Sequence, residues 1–310
     1  MTLQKLAGQF PQDGEFLSIN DPLLDTALRI RMSDCIQRVF YLQPTLGAPE
    51  KIEPVGDSIP MSSFSLRLET KEILATAYRH EREFSDVLSR DMMRFNVDTK
   101  TLATRSMMEL IQRNARKTLV ELYDSLGKSH LEKWTTKRQA FFRRWFKVEP
   151  KHYLENYRDL GRKLWLYSSM IATSSRRGGA DFVILSPEFA AYLQDDPTFT
   201  FNPSTEFPSN LIGTYHNLQV FVDHFRKDNV VTLGRTTREH DQGVVFGEYS
   251  RSVRSLKLPP MASFETKEAV SVVSQDVIDV IGNEEHARYN YLTVELEVKK
   301  KPWLRKFLKI

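Results

Sequence analysis

Three stretches carry residue types and spacings that could do chemistry. The first, SSRRGGADFVILSP (residues 174–187), sets two arginines and two glycines directly before an apolar run. Gly-rich loops beside cations often cradle phosphate, but such a loop follows a strand and opens a helix, so that backbone N–H groups face the anion. Here the order is reversed. LGRKLWLYSSMIATSS upstream places Leu160, Leu164, Tyr167 and Ile171 at helical spacing. Arg176 and Arg177 fall at the C-terminal end of that helix, where cations suit its dipole, and Gly178 or Gly179 takes the left-handed cap. DFVILSP then reads as a buried strand, with Ser186 as N-cap and Pro187 as first residue of a helix over EFAAYLQ. The stretch is read as structural punctuation that binds nothing by itself.

The second stretch, REHDQG, groups Glu239, His240 and Asp241, all metal-ligating types. Adjacent residues on one turn rarely converge on one ion, so a solvated turn is expected. The third, KWTTKRQAFFRRWFKVEP, interleaves six Lys/Arg between Lys133 and Lys147 with Phe141, Phe142, Trp145 and Phe146. That composition could stack and neutralise single-stranded nucleic acid. No RNA-module signature accompanies it, and an amphipathic helix with a solvated basic face is the preferred reading. The seven histidines are scattered, Cys35 is the single cysteine, and there is no nucleophile elbow or phosphate loop. No catalytic, cofactor-binding or metal-ligating residue is nominated, and no enzyme activity is expected.

The elements that surround these stretches are more informative. Residues 1–35 look like an extended arm. CIQRVFYLQ and FSLRLETKEILATAYRH read as strands flanking a 44–63 excursion with four prolines and two glycines, which together make an elongated hairpin. A loop of that length is usually functional or bound to a partner. The longest helix starts with Asp98 as N-cap, carries Met108, Ile111, Ala115, Leu119, Leu122 and Leu126 as one apolar stripe, and is expected to end at Gly127. Downstream, DDPTFTFNPSTEFPSN reads as a surface loop and 213–217 as a turn. LQVFVD and NVVTLGR read as strands, GVVFGEYSRSVRSL as a strand pair or one bent strand, and EAVSVVSQDVIDVIG and ARYNYLTVELEV as strands. The tail KKKPWLRKFLKI is basic with Trp303, Leu304, Phe307 and Leu308 at helical spacing, which suits a membrane-surface or nucleic-acid segment and equally a clamp on a neighbouring subunit. The chain of 310 residues, 41% hydrophobic and 27% charged at net charge +4, is ordinary for a folded protein and too weakly basic to assign a nucleic-acid partner. No run approaches the roughly 18 apolar residues of a membrane span and no secretion signal is seen, so a cytoplasmic origin is expected.

This order of parts resembles the major capsid proteins of tailed bacteriophages, especially the T-even branch. LRLETKEILATAYRHEREFSDVL is similar to the elongated-loop strand of that family, with Glu69, Lys71, Leu74 and Ala75 matching in kind and Glu72 where a basic residue is usual. FNVDTKTLATRSMMELIQRNARKTL resembles the start of its spine helix, through Glu109, Leu110, Arg113 and Asn114. MIATSSRRGGADFVILSPEFAAYL is the closest match, to the helix, Gly-rich turn, strand and capped helix of the axial domain. GTYHNLQVFVD, VVTLGR and GVVFGEYSRSVRSL resemble the strands that follow, without the family's Pro-Tyr pair at Tyr249–Ser250.

The resemblance implies an α+β chain with the tailed-phage major capsid fold. Its parts would be an N-terminal arm (1–35), an elongated hairpin loop (36–70), and a peripheral domain with the spine helix (71–156). An axial domain (157–251), peripheral return strands (252–298) and a basic tail (299–310) would complete it. It further implies a shell protein that self-assembles into hexamers and pentamers of an icosahedral or prolate head, formed in the host cytoplasm and present in the virion. Implied partners are other copies of the chain, portal, scaffolding and decoration or vertex proteins, and packaged double-stranded DNA contacted weakly, with no membrane and no cofactor. An encapsulin-type nanocompartment shell and a nucleic-acid-binding protein using residues 133–147 are the alternatives.

Overall fold

The structure is a computed structural model that describes residues 21–42, 68–85, 92–94, 98–142, 153–154, 159–175, 177–202, 210–226, 229–258 and 267–298. The hairpin tip, residues 143–147 of the basic aromatic stretch and the basic tail lie outside the described residues.

Strand β1 (Leu28–Arg31) follows a short 3-10 turn at Leu24–Thr26, and β2 (Ile36–Leu42), β3 (Leu68–Leu74) and β4 (Thr76–Ser85) come next. Helix α1 (Thr99–Phe142) is the spine; its 44 residues run roughly 66 Å. Asp98 caps it as expected, accepting from the Lys100 amide at 3.0 Å and the Thr101 hydroxyl at 2.6 Å. After β5 (Tyr153–Leu154) come α2 (Leu160–Ser175), β6 (Phe182–Leu185), α3 (Pro187–Gln194) and β7 (Phe199–Phe201). The strands β8 (Leu211–Tyr215), β9 (Leu218–Val222), β10 (Val230–Gly234), β11 (Gly243–Leu258) and β12 (Lys267–Ile281) follow, then helix α4 (Glu284–Ala287), β13 (Tyr291–Glu295) and β14 (Glu297–Val298).

Two sheets share the spine. The six-stranded sheet runs β13-β10-β6-β9-β8-β7 and the four-stranded sheet β1-β11-β12-β4, while β2-β3 and β14-β5 form separate ribbons. Side-chain alternation decides which face each residue joins. Phe182, Ile184, Phe221 and Tyr291 face α1, where they meet Ile111, Leu119, Tyr123 and Leu126. Val183, Leu185, Val220, Val222, Val231, Leu233, Leu292 and Val294 face the other way, onto α2 and α3. With both faces covered, β6 and β10 are buried at every position and show no alternation of buried with exposed residues. The α2 stripe of Leu160, Leu164, Tyr167 and Ile171 is buried as expected, and Ser186 caps α3 by accepting from the Phe189 amide.

Several expectations are corrected. Gly127 does not end the spine, which continues for about four more turns. Its role is close approach: a Cβ there would lie 2.5 Å from the Thr293 amide nitrogen, so only glycine lets the helix lie against β13. Residues 21–31 are not a free arm. Asp21 is fully buried, accepting from Gln112 Nε2 at 3.0 Å and pairing with Arg116, and β1 runs parallel to β11. The 213–217 turn shrinks to His216–Asn217, both at positive φ, as a two-residue type I′ hairpin turn requires. Gly213 instead sits in β8, at an irregularity of its register with β9. The expected surface loop after α3 contains the edge strand β7. Residues 284–290 are helical, so the strand expected over ARYNYLTVELEV begins at Tyr291. β11 runs from Gly243 to Leu258 and belongs to the four-stranded sheet, and β13 belongs with the six-stranded sheet.

Candidate functional site

The β2–β3 ribbon is the most unusual surface among the described residues. Its register runs from Ile36 opposite Leu74 to Leu42 opposite Leu68. Alternation puts Val39, Tyr41 and Ile73 on an inner face, buried against Met32, Val245 and Ile281. It leaves Ile36, Phe40, Leu68 and Leu74 on the outer face, between 52% and 60% exposed. Arg38 and Glu72, directly opposite each other on that face, pair at 2.9 Å. Four large apolar side chains flanking an exposed ion pair form the composition of a surface that another protein covers. The neighbouring edge is built differently. Among the described residues β4 is hydrogen-bonded only to β12, and it carries Arg79, His80, Glu81, Arg82 and Glu83, a charge density that opposes pairing with a further strand.

Beneath these surfaces lie buried polar joints that the sequence reading missed. A β-bulge lies between Glu248 and Ser250. In a regular strand residues three apart point to opposite faces, but the extra residue restores parity, so Glu248, Arg251 and Val253 all share the core-facing side with Phe246. Glu248 is opposite Asp276 on β12, and the Arg251 guanidinium, fully buried, reaches both at 2.7 and 2.6 Å. Arg29 of β1 adds a 2.9 Å bond to Glu248. Burial would raise the Glu248 carboxyl, but hydrogen bonds and charge from Arg29 and Arg251 outweigh it and hold the group below its ordinary value. Burial wins at Asp276, which is raised.

A second joint ties the spine to the six-stranded sheet. Asp124 of α1 pairs with Arg226, and accepts from the Thr232 hydroxyl at 2.5 Å. Arg226 also donates to the Ile184 carbonyl at 3.2 Å, and burial lowers its pKa against the pull of Asp124 and Asp223. Farther along α1, His130 is buried between the Tyr291 carbonyl (Nδ1, 2.7 Å) and the Ser174 hydroxyl (Nε2, 2.9 Å). A carbonyl can only accept, so Nδ1 carries the proton and Nε2 accepts from Ser174. Tyr123 stacks on Tyr291 at 4.7 Å, and burial pushes the Tyr291 phenol up to about 12. The hint available in the sequence was charge inside otherwise apolar strands, at Glu248, Arg251 and Asp276.

Two of the three stretches first singled out for chemistry meet in space. Arg177, just after α2, pairs with Asp241, and Arg235 approaches the same carboxylate at 3.6 Å. Asp241 thus turns inward while Glu239 and His240 stay exposed, and the three candidate donors do not converge. Gly178, at φ 122° with open space around it, is the residue needing positive φ, and Gly179 packs on Ser168. Residues 133–142 continue α1, so that part of the basic aromatic stretch is helical. No group of metal-ligating side chains stands among the described residues, and no helix among them is long and apolar enough to cross a membrane.

A long spine helix shared by a six-stranded sheet and a long four-stranded sheet, with a ribbon standing off the latter, is the architecture of tailed-phage capsid proteins. A solved chain from Mycobacterium phage Adephagia superposes with a TM-score of 0.51 at 9% identity, covering 97% of this chain and 99% of that one. A chain from the capsid of Myoviridae Phage XM1 gives 0.48 at 10% identity over 95% and 98%, and an encapsulin complex from Synechococcus elongatus 0.48 at 14% over 94% and 93%. No curated protein matches the sequence. The family model described as Major capsid protein Gp23 matches residues 41–290. The chain belongs to that family and is a shell-forming head protein of a bacteriophage.

Proposed function

We propose that the chain assembles into the hexamers and pentamers of a phage head enclosing double-stranded DNA, and that the outer face of the β2–β3 ribbon is covered by a second copy in that shell. The observation that carries the reading is the row Ile36, Phe40, Leu68 and Leu74, exposed on a ribbon whose other face is buried in its own subunit. A shell built from heterologous contacts closes only when each copy presents such a surface at a set angle. Residues 157–251 form most of the part that gathers around the symmetry axes, and residues 71–156 and 252–298 most of the periphery. The role is structural, with no catalysis. Portal, scaffolding and decoration proteins are the expected partners, assembly takes place in the host cytoplasm, and DNA is held weakly at a net charge of only +4.

The test is Phe40→Glu combined with Leu74→Glu. Both side chains are exposed, so the subunit should fold as wild type while sedimentation and electron microscopy show no closed shells. Normal shells from the double variant would remove the ribbon from the interface. Shells that protect a protein cargo and no nuclease-resistant DNA would point to a nanocompartment instead.

A further inference from the structure

The turn at 239–242 connects β10 of the six-stranded sheet to β11 of the four-stranded sheet, and it touches the ribbon as well. Leu42, the last residue of β2, donates its amide to the His240 carbonyl at 2.9 Å and accepts from Gln242 Nε2 at 3.0 Å. The other strand of the ribbon has its own tether: Lys71 on β3 donates to the Val280 carbonyl at 2.5 Å and pairs with Asp279 at 2.9 Å. The ribbon is therefore pinned once through each strand, on top of the packing of Val39, Tyr41 and Ile73.

The two pins differ in what stands behind them. Among the described residues Lys71 reaches the end of β12. The turn that holds Leu42 is fixed from the opposite side by Asp241, whose carboxylate meets Arg177, in the α2–β6 connection, and Arg235, directly after β10. The Gln242 carbonyl accepts from Asn290 Nδ2 at 2.6 Å. Gln242 itself is buried, and Gly282, at φ 88°, leaves room for its side chain: a Cβ at that glycine would lie 2.7 Å from Gln242 Cγ. The amide oxygen of Gln242 has no hydrogen-bond partner among the described residues, so the side chain is oriented by its donor end alone. An amide flip would set carbonyl against carbonyl at Leu42 and is disfavoured.

We infer that the 239–242 turn is a coupling joint, in which Gln242 positions the ribbon and Asp241 makes that position depend on where the six-stranded sheet sits. The inference rests on the shell reading: in a shell the ribbon angle sets how neighbouring copies meet, so a displacement of the six-stranded sheet by its own neighbours is transmitted to the ribbon through Asp241, His240 and Gln242 to Leu42. Neither Asp241 nor Gln242 lies on the outer face of the ribbon, so each acts through Leu42 and is a positioning residue.

The test uses the full chain with Gln242→Met, which keeps the volume and loses the donor, and Asp241→Asn, which cuts the ion pairs and leaves Gln242 in place. Amide hydrogen exchange of residues 36–42 is measured on unassembled subunit, and particle diameters are measured by electron microscopy. Loss of one hydrogen bond should speed exchange at Leu42 roughly three- to tenfold in Gln242→Met. Asp241→Asn should speed exchange at the same amide, although no atom of Asp241 is bonded to it, and both variants should give particles of mixed diameter or open sheets. Unchanged Leu42 exchange in Asp241→Asn overturns the coupling, and it decides the matter alone if Gln242→Met fails to fold. Faster exchange with shells of the wild-type diameter overturns the role in assembly. Absence of shells from the wild type removes the shell reading and leaves the exchange result to judge the joint.

Discussion

Replacing Arg251 by methionine would remove the cation that lets Glu248 and Asp276 face each other inside the long sheet. The guanidinium makes bonds of 2.7 Å to Glu248 and 2.6 Å to Asp276, and its side chain is fully buried. After the substitution Glu248 keeps Arg29 at 2.9 Å, while Asp276 loses its described ion pair and stays opposite a carboxylate in register. Two like charges about 5.5 Å apart at an effective dielectric constant near 20 repel by about 3 kcal/mol. Removing one partner of a buried ion pair costs about 3–5 kcal/mol in measured cases, and the two figures describe the same loss from different sides. The expected outcome is a drop of about 3–5 kcal/mol in the unfolding free energy of the unassembled subunit near neutral pH, read from urea titration by circular dichroism. The pH dependence follows from the sign. Asp276 is already raised above its ordinary 3.8 by burial, and losing Arg251 raises it further. The folded state then holds a proton that the unfolded state has released, so the variant is most nearly wild-type at acid pH and loses stability as pH rises through the folded pKa. Asp276→Asn placed in the Arg251→Met background should restore most of the loss. A penalty under about 1 kcal/mol near neutral pH, or one that grows on acidification, would refute the electrostatic account of the bulge.

Two other substitutions test single elements. Gly127→Ala should lower the melting temperature: alanine gains about 1 kcal/mol in helix propensity, but its methyl overlaps the Thr293 backbone, and overpacking of that kind costs about 1–3 kcal/mol. A melting temperature equal to or above wild type would mean the spine can shift away from β13 at no cost. At His130 burial lowers the ring pKa, the hydrogen bond to the Tyr291 carbonyl opposes that shift, and the Arg288 charge reinforces it, so the folded pKa lies below the ordinary 6.5. The unfolded ring therefore takes up a proton first. The His130 contribution is complete above 6.5 and is lost as pH falls from there through the folded value, and the part of the stability slope below about pH 6.5 that is due to this ring should vanish in His130→Gln.

Most of the elements were legible in the sequence because their signals are local. Asp98 as a cap, the stripe through Ile111 and Leu119, Ser186–Pro187 at the start of α3, and the strands around Val183, Val220 and Val231 depend on residues within a turn or two of each other. The order of these elements was enough to point to the capsid fold, and the outward side of the ribbon follows from its alternation. What only the tertiary structure decided is every feature whose cause lies far along the chain. Gly127 looks like a helix stop until Thr293 is seen against it. Asp241 looks like a solvated turn residue until Arg177, 64 positions earlier, closes on it. Arg251 belongs with Glu248 and Asp276 because a bulge reverses the parity of β11, and the bulge leaves no mark on the alternation of GVVFGEYSRSV that a reader could use beforehand. Local propensity is a property of the chain, whereas close approach, charge pairing and register are settled only when distant segments share a surface, which is why the elements could be read from the sequence and the joints that hold them could not.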